Sequence, residues 1–283
     1  MNVQLKNDFL TATFNTLGAE LVSLKSEKRE YMWDGNPDFW NKHAPVLFPI
    51  VGALKNDTYF FEGKKYQMSR HGFAREKQFQ IVEQTANKIV FSLKEDEETL
   101  KVYPFHFEFK IEYILAEKAL EVHFEVINTS KHSMYFAVGG HPAFALPENF
   151  ENYSLVFTGN DELRFSLLEH NLLQNQTQVL ETKNNIKTLD YSLFEKDALV
   201  FRDRQIQSVT IQEKGNDFLK VKFEQFSDLG IWTKRNAPFI CIEPWFGHAD
   251  EVQTTQNLTE KAGIIKLEQQ ENFNANYSIE ILA

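Results

Sequence analysis

The chain has 283 residues, and its 30 Lys+Arg against 40 Asp+Glu give a net charge of −10 at pH 7. That length supports a sizeable core in one large β domain or two smaller ones, and the acidic balance excludes the basic footprint that non-specific nucleic-acid binding needs. At 42% hydrophobic and 25% charged residues the chain is not disordered. Cys241 is the only cysteine, so no intrachain disulfide forms and a cytoplasmic location is expected. The first eight residues hold no apolar signal core. The longest apolar-leaning stretch, 132–147, contains two His, two Gly and two Pro, which excludes a membrane span there. Aromatic rings are abundant, with 26 Phe, 9 Tyr and 4 Trp, a composition that favours strands.

In chain order, the first turn signal is Glu62-Gly63-Lys64-Lys65, which reads as a hairpin. Period-2 alternation predicts a strand over 88–93. Residues 96–101 can form one or two helical turns before Pro104. Phe107, Phe109, Ile111 and Tyr113 then alternate with Glu108, Lys110 and Glu112. After a polar break at 116–119, Leu120, Val122, Phe124 and Val126 alternate with Glu121, His123 and Glu125. These two runs are expected to pair antiparallel with one wet face. The Gln-, Asn- and Thr-rich stretch 171–185 reads as an exposed excursion. Further strands are expected at 209–212, 219–224 and 277–282, with a hairpin at Lys214-Gly215-Asn216-Asp217. No segment sustains a 3.6-residue apolar stripe, and no Gly/Ser- or Pro-rich linker divides the chain. The expectation is an all-β protein, a single large antiparallel β-sandwich over 1–283.

Three segments break the strand pattern. In Ser69-Arg70-His71-Gly72-Phe73-Ala74-Arg75, a His lies between two Arg, and Gly72 permits positive φ or close backbone approach. Those residue types suit a solvated loop as well as a binding turn. In Gly139-Gly140-His141-Pro142, two glycines free the backbone beside an imidazole able to act as acid or base near neutral pH. A turn with His141 capping a strand end is the other reading. In Cys241-Ile242-Glu243-Pro244-Trp245, a carboxylate ends an apolar run. Desolvation there makes it a stronger base, unless Glu243 is a buried charge paired with an Arg. The His and Glu spacing carries no zinc signature. No G-x-S-x-G elbow, phosphate loop or dinucleotide fingerprint is present.

Together, Leu47-Phe48-Pro49-Ile50-Val51-Gly52, Arg70–Arg75, Gly140-His141-Pro142-Ala143-Phe144 and Cys241–Trp245, in this order and spacing, resemble the aldose 1-epimerase (galactose mutarotase-like) superfamily. The likeness is greatest to its LacX-type branch, related to hexose-6-phosphate mutarotases. The resemblance implies a β-supersandwich with a sugar cleft on one sheet. It implies Glu243 as general base and His141 as general acid, with His71 and Arg75 on sugar oxygens. It also points to Asp197, although Ala198 stands where the family usually has a basic neighbour, and to Lys55 in place of an Arg. Trp245 and Trp33 are candidate stacking faces, and Lys55, Lys234 and Arg235 join Arg70 and Arg75 as candidate phosphate ligands. The implied reaction opens a cyclic hemiacetal and recloses it on the other face, with no metal or organic cofactor. A small-molecule sugar or sugar phosphate is the expected partner, and the abundant rings leave room for a homodimer. A non-catalytic sugar-binding protein is the alternative. A glycoside hydrolase, which needs a second carboxylate about 5–9.5 Å from the first, ranks last.

Overall fold

A computed structural model describes residues 1–282. The hairpin at its centre forms for the reason the sequence suggests. Phe107–Ala116 and Ala119–Asn128 alternate buried and half-exposed along their whole length. They pair antiparallel, with Leu120 opposite Leu115 and Val126 opposite Phe109. Every second side chain therefore enters the interior, and each buried Phe or Leu contributes roughly 1.5–3 kcal/mol. The turns at Glu62-Gly63 and Lys214-Gly215 place both residues at positive φ, as two-residue hairpins require. They join Thr58–Phe61 to Lys64–Gln67 and Ile206–Glu213 to Asn216–Lys222. The single α-helix among the described residues, Glu97–Val102, starts at Asp96, which forms a capping box with Thr99.

These strands assemble into a nine-stranded sheet that runs from Ile186–Thr188 at one edge to Gln80–Gln84 at the other. An eight-stranded sheet packs against it, centred on Phe239–Phe246. A separate three-stranded sheet is built from Asn2–Lys6, Thr11–Asn15 and Glu20–Lys25. All strand pairings in these sheets are antiparallel. The main core lies between the two large sheets. Phe107, Phe109 and Phe124 from one meet Val46, Phe48, Val138, Ile240 and Ile242 from the other, with Phe48 stacked on Phe109 at 4.6 Å. Among the described residues no helix is long and apolar enough to cross a membrane.

The stretch 171–185 corrects an expectation. Most of it is exposed, but Leu172–Val179 is the edge strand of the eight-stranded sheet. Leu173 anchors it, being fully buried, and a polar remainder suits a strand edge that must not recruit another chain.

The eight-stranded sheet is buried on both faces along Phe239–Phe246. Alternation sends Ile240 and Ile242 into the main core, and Phe239, Cys241, Glu243 and Trp245 to the opposite face. Loops cover that outer face and form two small apolar clusters. One surrounds Cys241 with Trp33, Ala143 and Phe239. The other surrounds Trp245 with Leu47, Val51, Ala137 and Val200. Glu243 lies between them.

Candidate active site

Strand register brings the central pair together. Val138–Gly140 and Ala143–Ala145 both pair with Phe239–Phe246, Gly139 opposite Trp245 and Ala143 opposite Cys241. That register continues unshifted across Pro142, whose carbonyl still accepts from the Ile242 N–H at 3.2 Å. His141 therefore falls directly across from Glu243, where side chains on one face touch. His141 Nε2 and Glu243 Oε2 are 3.1 Å apart. On the other flank Gly230 faces Glu243, and a side chain added there would overlap the Trp245 ring.

Both groups are buried, Glu243 at 1% and His141 at 7% exposure, so water stabilises neither charge. Burial pushes the Glu243 carboxyl well above the usual range; Arg70 opposes this and Asp197 adds to it. Burial pulls His141 down to about 3, with Arg70 and Arg75 adding to the shift. Burial thus pushes each group toward its neutral form. Glu243 Oε2 and His141 Nδ1 lack hydrogen-bond partners, a rare state for buried polar atoms.

The His71 loop is anchored by backbone rather than solvated. His71 N–H donates to the Gly52 carbonyl at 2.8 Å, and Gly52 N–H donates back to His71 Nδ1 at 3.1 Å. This reciprocal pair buries His71 and holds it at φ 69°, a left-handed conformation that marks strain for a non-glycine residue. Gly72 follows at φ 71°, where a Cβ would collide with the Phe48 carbonyl. Burial, then Arg70, His141 and Arg75, hold the His71 ring neutral. A neutral ring that accepts at Nδ1 carries its proton on Nε2. Arg70 Nε–H in turn donates toward His71 Nε2 at 3.1 Å, so both ring nitrogens face an N–H donor and a neutral ring accepts fully from only one of them.

A cleft of about 480 Å³ opens over His71 and His141, a size suited to one small ligand. Trp40 stacks on the His141 ring at 4.8 Å, and Trp232 meets it edge-on at 5.9 Å. Arg70, Arg75, Asp197, Lys234 and Arg235 also line the cleft. Arg75 Nη2 donates to the Arg70 carbonyl at 2.8 Å. Arg70 reaches Asn171 Oδ1 at 3.1 Å and Asp197 at 3.8 Å. Glu243 lies beneath His141 rather than on the cleft wall.

The structure thus gathers His71, Arg75, His141, Glu243 and Asp197 at one place, and puts three expected contacts elsewhere. Trp245 is no open stacking face. Its ring is buried in the cluster on the outer sheet face, wedged against Gly139 and Gly230. Lys55 does not line the cleft; its Nζ donates to the Val252 carbonyl at 2.9 Å. Trp33 supports the wall from behind, its indole N–H donating to the Trp40 carbonyl at 2.8 Å. The indoles that line the cleft are the half-buried Trp40 and Trp232, which sequence reasoning missed. Trp232 carried a signal, since alternation through Asp228–Trp232 places it on the same face as Gly230. Trp40 lies in a loop with no periodicity and carried none.

Comparison with known proteins agrees with this geometry. The family model described as aldose 1-epimerase matches residues 1–278. Protein LacX, plasmid, from Lactococcus lactis subsp. lactis is 36% identical over the full length of both chains. The crystal structure of a galactose mutarotase related enzyme from Lactobacillus acidophilus is 36% identical, covering 100% of this chain and 98% of that one at a TM-score of 0.95. A galactose mutarotase-like protein from Lactobacillus casei ATCC 334 is 28% identical over 100% of both chains, at a TM-score of 0.94. The cleft, the buried His–Glu pair and these likenesses lead to one conclusion: the chain is an isomerase that belongs to the aldose 1-epimerase family.

Proposed function

We propose that the protein interconverts the α and β anomers of an aldohexose, with Glu243 and His141 exchanging protons with O1 and the ring oxygen. The observation that carries this reading is the cross-strand pair 3.1 Å apart, whose imidazole lines a cleft walled by Trp40 and Trp232 with the carboxyl directly beneath it. The pair's single proton moves from the carboxyl to the imidazole across that contact. Glu243, now a carboxylate, takes the proton from the O1 hydroxyl as His141 gives its own to the ring oxygen. The ring opens, the aldehyde turns about C1–C2, and the reverse transfers close it on the other face. The pair holds one proton before and after, so no exchange with solvent is needed. Arg70 favours the carboxylate form of Glu243. His71 and Arg75, both on the cleft wall, contact sugar oxygens. The indoles offer apolar faces to the ring. A full-length β-sandwich domain and a cytoplasmic setting fit the same reading.

A phosphate ester of the sugar is favoured by one further observation. Four cations, Arg70, Arg75, Lys234 and Arg235, line the cleft of a chain whose net charge is −10. Arg binds phosphate through paired hydrogen bonds. The test follows equilibration of fresh α-D-glucose, α-D-galactose and α-glucose 6-phosphate by polarimetry or proton NMR. Acceleration of any one supports the epimerase, and selective acceleration of the phosphate ester supports the second reading. Saturable binding without acceleration would instead mean a sugar-binding protein.

A further inference from the structure

The acid–base reading uses two of three reactive side chains that meet on the outer sheet face. Cys241 and Glu243 are two residues apart on one strand, and His141 is the cross-strand partner of Glu243. A thiol sulfur, a carboxylate oxygen and an imidazole nitrogen thereby lie within 4.8 Å of one another, all on buried residues. Cys241 forms no disulfide, and proton transfer between sugar oxygens needs no thiol. Glu243 Oε2, which lies 3.1 Å from His141 Nε2, is buried without a hydrogen-bond partner. The cluster therefore has unspent donor capacity facing inward.

One sulfur, one nitrogen and one oxygen form a set that suits zinc, which takes three protein ligands and leaves its fourth position open. A tetrahedral zinc ion with Zn–S about 2.3 Å and Zn–N about 2.0 Å holds its ligands roughly 3.5 Å apart. The present spacing, within 4.8 Å, is close to that. Of the three residues only His141 lines the cleft, so an ion would enter past its ring. Linear zinc motifs do not describe this set, because its spacing is that of two adjacent strands rather than of one loop or helix.

We propose that Cys241, Glu243 and His141 form a site for one zinc ion, and that the bound ion switches the enzyme off. Binding displaces the protons on the thiol and on the His141–Glu243 pair, so neither group can then exchange protons with the sugar. The binding half of this proposal stands on the ligand geometry alone. The inhibition half rests on the proposed function.

The test titrates the metal-free protein with Zn²⁺ alone by calorimetry, and with Co²⁺ alone by absorption spectroscopy, with anomer equilibration followed in parallel. One equivalent should bind with a dissociation constant on the order of micromolar or tighter. The cobalt form should show a near-ultraviolet thiolate-to-metal charge-transfer band. Zinc should abolish the activity, and EDTA should restore it. Cys241→Ala should keep the basal activity, lose the band, and weaken zinc binding by about 100-fold or more. Absence of the band in cobalt-saturated wild-type protein would overturn the site, whether or not Cys241→Ala folds. Equal zinc inhibition of wild type and Cys241→Ala would overturn it too. A cobalt band in a protein that accelerates no sugar would support the site while sinking the proposed function.

Discussion

Two of the polar clusters that the molecule buries centre on the strand Phe239–Phe246 and the loop after it, and they are built to opposite rules. In the loop after Phe239–Phe246, Lys261 Nζ donates to the His248 carbonyl at 2.7 Å and to Asp250 Oδ1 at 3.0 Å. The Lys55 backbone N–H donates to Asp250 Oδ2 at 2.9 Å. The ion pair is thus closed on both sides, as a buried pair must be to offset desolvation. On the strand itself, Glu243 and His141 lie 3.1 Å apart, yet Glu243 Oε2 and His141 Nδ1 have no hydrogen-bond partner. Satisfied polar groups hold loops in place. Unsatisfied ones, kept neutral by burial beside a cleft, remain available to a ligand.

The largest expected effect separates the two clusters by activity. Glu243→Gln and His141→Asn should each lower kcat/KM by about 10²–10⁴-fold, measured by polarimetry with the sugar that responds best. Neither should lower Tm appreciably, since each replaces a neutral buried group with a neutral one. Near wild-type rates in either variant would dissolve the contrast.

Breaking the closed cluster should act on stability instead. Asp250→Ala leaves Lys261 buried without its partner and should cost about 3–5 kcal/mol in urea unfolding. A loss well under that would show that the cluster carries little of the fold.

The pH dependence should differ in sign between the clusters. Glu243 is raised in the fold, so its burial costs nothing below the ordinary carboxyl range and destabilises progressively as pH rises above it. Glu243→Gln removes that cost, and its Tm advantage at pH 7 should fade toward pH ~4. His248 is lowered to about 3, first by burial and then by Lys261 and Arg202. The stability of its neutral form is present above the ordinary imidazole value and lost as pH falls from ~6.5 toward about 3. The Tm difference between wild type and His248→Gln should therefore shrink over that window. Parallel pH profiles for the two variants would contradict the assignment.

A smaller effect tests the scaffold beneath the pair. Gly230→Ala forces the Trp245 ring aside and should cost about 1–3 kcal/mol as overpacking, with lower activity because Gly230 faces Glu243. The smallest effect is expected at Lys55→Ala, which should leave anomer interconversion unchanged and stability within about 0.5 kcal/mol.

Local chemistry wrote much of this protein into its sequence. Strict alternation around Phe109 and Phe124, the paired positive-φ turns at Glu62-Gly63 and Lys214-Gly215, and the Asp96 cap act over a few residues, so their signals survive in one dimension. The motif residues Arg70, His71, His141 and Glu243 could be picked out because reactive types interrupt apolar runs. What the residue string could not decide was which side chains face the cleft. Trp245 lies next but one to Glu243 and looked like a wall, yet the two glycines it wedges against, Gly139 and Gly230, come from other strands and absorb it. Trp40 lies more than a hundred residues before the ring it stacks on. The contact between His141 and Glu243 depends on a strand register that runs unbroken across Pro142. Register and burial are set by long-range pairing and packing, and for that reason the tertiary structure alone decided them.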